Sequence, residues 1–189
     1  STPMNKLLLL LLLALVPVAA ATPTLPADSV LRLGEAYTDQ DGKDFALASR
    51  RGRPQLVSMF YTSCPYMCPL IIDTGLGIDA KLTPAERAKL RILLVSIDPR
   101  RDTPAAPQAM ARKRHLDTRR WTLARTDEDG VRKTAAVLGV RYRRLADGEY
   151  NHSSVIVLLD ADGRILARTT RMGAVPELEF LTKVHAALK

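Results

Sequence analysis

Gln55-Leu56-Val57-Ser58-Met59-Phe60-Tyr61-Thr62-Ser63-Cys64-Pro65-Tyr66-Met67-Cys68-Pro69 is the stretch on which the fold turns. Its first seven residues form a short, mostly apolar, β-leaning run, which predicts a buried central strand. Thr62 to Cys64 leads out of the strand. A helix is expected from Pro65 or Tyr66 to Leu82, weakened at Gly75 and Gly77. The two cysteines therefore fall at the carboxyl end of a strand, where open α/β sheets place their sites.

Outward from this stretch, strands and helices alternate. Ala36 to Leu47 reads as a hairpin around Asp39-Gln40-Asp41-Gly42. Thr83-Pro84-Ala85-Glu86 has the pattern of a capped helix start. Arg91–Ile97 and Trp121–Ala124 read as strands, and Ser153–Leu159 as another buried one. Thr103 is expected to cap a helix to His115, and Asp127–Leu138 is helical. Val140–Leu145 is a short strand candidate, followed by a turn at Asp147-Gly148. Ile165–Thr170 pairs back after the turn Asp160 to Gly163. Val175–Leu188 closes the chain as a helix with Pro176 in its first turn. The expected class is α/β: a mixed sheet flanked by helices, with an N-terminal β-hairpin extension.

The chain of 189 residues suits one domain plus an export segment. Lys6, the apolar run Leu7–Val16 and the small residues Val18-Ala19-Ala20-Ala21 have the order of a signal peptide, with cleavage after Ala20 or Ala21. The run is shorter than a spanning helix needs. The expected layout is residues 1–21 signal peptide, 22–30 linker and 31–189 domain, released into the periplasm; an uncleaved anchor is the minor alternative. The formal net charge of +8 speaks first to solubility and leaves open peripheral contact with an anionic membrane surface. No aromatic residues interleave with the cluster Arg112, Lys113, Arg114, Arg119 and Arg120, so no nucleic-acid site is expected. A monomer is expected.

Cys64 and Cys68 are the only two cysteines. A loop this short gains little from a staple. Four residues apart on a helix they would share one face, and the helix N-terminus favours thiolate. Two thiolates suit Cu(I), and zinc less distinctively. The same spacing permits a disulfide, so the pair is an oxidisable dithiol, a metal site, or both in turn. Tyr150-Asn151-His152-Ser153-Ser154 precedes the strand to Leu159. In a thioredoxin-like sheet that loop lies beside the cysteine turn, where dithiol oxidoreductases carry a cis-proline. No proline lies between Arg141 and Leu159, and His152 stands there instead. An imidazole beside two sulfurs makes an S₂N set able to hold Cu(I) and Cu(II). Met67 is a further soft donor, but on a helix it points away from the shared face. Asp98 and Tyr61 divide between site roles and ordinary turn or packing roles. His115 and His185 read as exposed helix residues without a partner motif, and Trp121 as core.

The C-P-x-x-C-P run, the segment Ser96-Ile97-Asp98-Pro99-Arg100-Arg101-Asp102-Thr103-Pro104, and His152-Ser153 ahead of a strand and Asp-x-Asp-Gly together resemble the Sco/SenC family, over about Leu31 to Leu188. The resemblance implies a thioredoxin-like fold, copper held by Cys64, Cys68 and His152, and a role in maturing the copper A centre of cytochrome c oxidase. A cytochrome c oxidase subunit, or another copper donor or acceptor protein, is then the expected partner. Two departures stand out: Asn151 replaces an Asp common just before the histidine, and the chain reads as released where many members are anchored. An enzymatic alternative is a thiol–disulfide oxidoreductase with Cys64 as attacking thiolate and Cys68 as its partner. Its spacer of three residues and the missing proline argue against generic redox work. A copper or redox sensor is the third reading.

Overall fold

The computed structural model describes residues 24–64 and 66–189. The expected signal peptide lies outside the described residues. The chain is built into the domain by Ser29, whose hydroxyl donates to the Asp162 carbonyl (2.6 Å), and by Val30, whose N–H reaches the Gly163 carbonyl (2.9 Å).

Strands β1 (Ala36–Thr38) and β2 (Asp44–Ala46) form the N-terminal hairpin. The main sheet holds β3 (Gln55–Phe60), β4 (Arg91–Ser96), β5 (Trp121–Ala124), β8 (Ile156–Leu159) and β9 (Ile165–Thr169), in the order β5-β4-β3-β8-β9. β3 runs parallel to β4, and β4 to β5, whereas β8 is antiparallel to β3 and β9 to β8. Every residue of β3 and β8 is buried, which is why β8 reads as an unbroken apolar run and β3 as a mostly apolar one. Helices α1 (Met67–Lys81), α2 (Pro84–Lys89), α3 (Ala105–Lys113), α4 (Glu128–Leu138) and α5 (Leu178–Ala187) complete the main fold. A second hairpin, β6 (Tyr142–Arg144) with β7 (Tyr150–His152), stands apart from the main sheet. This is the expected mixed α/β architecture with an N-terminal hairpin.

Local chemistry explains most boundaries. At α2, Thr83 accepts from the Glu86 N–H and the Glu86 carboxylate accepts from the Thr83 N–H, a complete capping box. Asp127 caps α4, and Gly139, at φ 76°, ends it in the left-handed region that costs glycine little. Gly75 lets α1 lie against β5: a Cβ there would sit 2.4 Å from the Trp121 ring.

Several expectations need correction. α1 begins at Met67, so Cys64 lies in the preceding turn and the two cysteines do not share a helical face. Thr103 does not cap α3; Pro104 is already helical in backbone and the helix starts after it without a side-chain cap. α5 begins only at Leu178, behind Pro176 and an extended Glu177. Tyr150–His152 is a strand, not a loop, because it pairs with Tyr142–Arg144. His115 lies beyond α3 in a left-handed turn (φ 52°), and the partly exposed His185 ring lies 2.7 Å from Glu86.

Candidate metal centre

Three separate elements supply the cysteine and histidine side chains. Cys64 sits in the turn after β3, its N–H bonded to the Tyr61 carbonyl (3.2 Å). Cys68 is the second residue of α1 and fully buried. Its N–H, one of the helix's unpaired first-turn donors, reaches the Cys64 sulfur (3.4 Å), and its own sulfur accepts from the Tyr61 N–H (3.2 Å). The turn thus brings the sulfurs together in a way that helix periodicity alone does not. His152 ends β7, opposite Tyr142. One donor atom from each of Cys64, Cys68 and His152 lies within 4.8 Å of the others.

The electrostatics of the two thiols diverge. Cys64 is pulled down to about 3: hydrogen bonding from the Cys68 thiol outweighs burial, helped by the N–H groups of Cys68 and Tyr66. Cys68 is pushed up, first because its proton is held by the Cys64 thiolate and then by burial. The two directions favour the thiolate at Cys64 and the thiol at Cys68.

The imidazole is oriented too. His152 Nδ1 lies 3.2 Å from the Ser153 carbonyl, which can only accept, so this nitrogen carries the proton. Nε2 keeps its lone pair and is buried without a hydrogen-bond partner. A buried, unpaired acceptor beside two sulfurs fits a soft metal ion. The S₂N set is one donor short of the four that structural zinc takes, and mixed sulfur–imidazole donors at low coordination number suit copper. Met67 packs against the core.

Two further segments brace these donors. Asp102 is fully buried; its carboxylate accepts from the Ser96 hydroxyl (2.5 Å), the Thr62 N–H (3.0 Å) and the Thr62 hydroxyl. It thereby ties the loop after β4 to the cysteine turn, and burial pushes its pKa up. Arg101 ion-pairs with buried Asp98 and reaches across to Glu149 (2.8 Å) and the Gly148 carbonyl (3.0 Å) on the turn of the β6–β7 hairpin. Tyr61 meets the same hairpin: its hydroxyl donates to Glu149 (3.1 Å) and its ring lies edge-on to Tyr150 (5.5 Å) and His152 (5.7 Å). Burial, first among its causes, raises the Tyr61 pKa. Asp98 and Tyr61 are thus framework residues of the site, not idle loop or filler. Asp102 and Glu149 were missed as site residues. Asp102 lies inside the quoted Ser96–Pro104 motif, and Glu149 carries no sequence signal beyond its nearness to His152. Asn151 is exposed and, by strand alternation, faces away from His152. The lost carboxylate at that position is therefore not one that would touch the ring.

The profile of the SCO1/SenC family matches residues 32–188. A SCO1 protein homolog of Bacillus subtilis is 24% identical over 159 residues, covering 80% of this chain and 79% of that protein. A putative electron transfer protein from Aquifex aeolicus superimposes with a TM-score of 0.74 at 22% identity, covering 85% of this chain and 93% of the other. The ScoI structure of Bradyrhizobium japonicum, solved with copper bound, gives a TM-score of 0.63 at 26% identity, with 81% and 96% covered. The central mixed sheet flanked by helices is the thioredoxin-like fold of the Sco structures. Because the match runs from Arg32 to Leu188 and takes in the cysteine turn, the Ser96–Pro104 loop and the His152 hairpin, the chain belongs to the SCO1/SenC family.

Proposed function

We propose that this chain is a copper carrier that takes up one copper ion with Cys64, Cys68 and His152 and passes it to an acceptor by ligand exchange. The observation that carries this reading is the buried, unpartnered Nε2 of His152 within 4.8 Å of two sulfurs. The Bradyrhizobium relative with copper bound supports the choice of ion. Cys64 already stands as thiolate, so uptake displaces one proton, that of Cys68. Cys68 forms the buried floor of the site, while Cys64 and His152 lie nearer the surface. An incoming soft donor would therefore meet Cys64 or His152 before Cys68. Family membership favours the copper A centre of cytochrome c oxidase as destination and the periplasm as the place of work. No helix among the described residues is long and apolar enough to cross a membrane.

Loading the reduced protein with Cu(I) and Cu(II) tests this reading. One ion per chain is expected, with thiolate-to-copper charge transfer in the Cu(II) form. Binding that is equally tight in His152→Ala, or absent from the parent protein, refutes it.

A second reading, thiol–disulfide exchange with acceptor cysteines, draws on one observation: a thiolate at Cys64 beside a protonated Cys68 is the asymmetry a dithiol reductant uses. The dithiol potential and the exchange rate with a peptide disulfide separate the two. A chain that exchanges quickly but does not retain copper is the reductant.

A further inference from the structure

We propose that the groove between α1 and α3, beside Cys64, is the docking surface for the protein that exchanges copper with this chain, and that it receives an apolar segment flanked by carboxylates. The proposal rests on the copper reading for the identity of the partner, but its structural basis is separate. The groove encloses about 400 Å³. Cys64 forms part of its wall, and Pro69, Ile72, Ala106 and Met110 give it an apolar lining. A segment lying there is thus brought to the sulfur that a partner reaches first.

The rim says what kind of segment fits. Lys113 and Arg114 border the groove. Lys113 is exposed and makes no ion pair among the described residues, whereas Arg114 is paired with Asp73. The local balance is positive, and carboxylates are its complement. Tyr66, one turn before Pro69, is 79% exposed, and Leu70 is 38% exposed. Exposed aromatic and aliphatic side chains close in sequence to the cysteine turn are what a contact surface uses.

The test needs no metal. Reduced, copper-free protein is mixed with the disulfide of either of two peptides, Ac-Leu-Glu-Cys-Glu-amide or Ac-Leu-Lys-Cys-Lys-amide. The Cys64 thiolate attacks one peptide sulfur, the peptide S–S bond breaks and one peptide leaves as thiolate. Cys68 then displaces the second peptide, closing the Cys64–Cys68 disulfide and leaving two peptide thiols. Each rate is divided by that of the same disulfide with 2-mercaptoethanol, which removes differences in leaving-group strength. At low salt the acidic peptide should react about fivefold or more faster, and the preference should shrink at high salt. Lys113→Glu should abolish most of it. Arg168→Glu, on the far edge strand β9, changes net charge equally and should keep it. Ala109→Trp, filling the groove, should slow both peptides severalfold and leave the reaction with methyl methanethiosulfonate unchanged. Equal rates for the two peptides, equal losses in Lys113→Glu and Arg168→Glu, or unchanged peptide rates in Ala109→Trp would each overturn the proposal. A chain that fails to bind copper would refute the copper reading and leave these rates as they are.

Discussion

Arg101→Met should loosen the hairpin that carries His152 and show it in both stability and copper affinity. Arg101 joins the loop after β4 to that hairpin through Asp98, Glu149 and the Gly148 carbonyl, with its guanidinium 5.8 Å over the Tyr61 ring. The Asp98 side chain is 4% exposed and that of Arg101 39%. Breaking a fully buried pair costs about 3–5 kcal/mol and an exposed one about 1 kcal/mol or less. A buried acid facing a half-exposed base falls between, at about 2–3 kcal/mol after discounting for solvent. Much of that is the cost of leaving the Asp98 carboxylate buried alone, so the double variant Asp98→Asn, Arg101→Met should recover about 1 kcal/mol or more. Urea unfolding followed by the single, buried Trp121 measures all four corners of the cycle. Competition with a Cu(I) chelator should show about tenfold weaker binding in Arg101→Met, since one such step corresponds to about 1.4 kcal/mol. A coupling below about 0.5 kcal/mol, or amide exchange in β6 and β7 that matches the parent protein, would refute the bracing role.

Cys64 falls from 9.0 unfolded to about 3 in the fold. Its thiolate therefore adds stability to the reduced, copper-free protein that is full above pH 9, shrinks as pH falls, and is gone below about pH 3; Cys68, raised in the fold, works against stability above pH 9. The urea midpoint of the parent minus that of Cys64→Ser should rise between pH 4 and pH 8 (about four units inside that window), and a flat or falling difference contradicts the assignment. Gly75→Ala should cost about 1–3 kcal/mol by thermal melting, because the new Cβ meets the buried Trp121 ring at 2.4 Å. Thr83→Ala should cost about 1 kcal/mol in urea by breaking the α2 capping box. Loss of much less than this would mean that the box only marks the end of α2 and does not hold it.

The parts of the fold that could be read in the sequence are those with a local cause. β8 carries a continuous apolar run, and β3 a mostly apolar one, because both faces of the sheet are covered there. Thr83 and Asp127 cap the helices that follow them. What escaped was set by distant partners. Tyr150–His152 looks like a loop until Tyr142–Arg144 pairs with it, and nothing in either triplet announces that pairing. The start of α1 was misplaced because a proline at 65 reads as a first helical residue, whereas the helix begins at Met67. Cys64, Cys68 and His152 were legible as candidates by chemistry and by the family resemblance, but the route by which the sulfurs meet was not. Glu149 and Asp102 act through residues remote in sequence, Arg101 and Tyr61 for one and Thr62 for the other, and such pairs leave no periodic trace.

The three donors are unequal, and that inequality follows from where each one is anchored. Cys68 is rooted in α1, fully buried, and bonded by the Tyr61 N–H at the end of β3. His152 sits on a hairpin outside the main sheet, whose position depends on Tyr61, Arg101 and Glu149. Cys64 stands in a turn whose next residue but one, Tyr66, is exposed. On the carrier reading, the chain has to hold its ion and also give it up. Three equally rigid, equally buried ligands would favour the first at the expense of the second. One deep sulfur with two donors on less buried supports lets an incoming ligand replace the outer bonds one at a time, so that no intermediate leaves the ion with bare coordination. The framework around Asp102 and Arg101 then has a definite task. It keeps the outer donors within reach of the sulfur below while leaving the side toward the α1–α3 groove open.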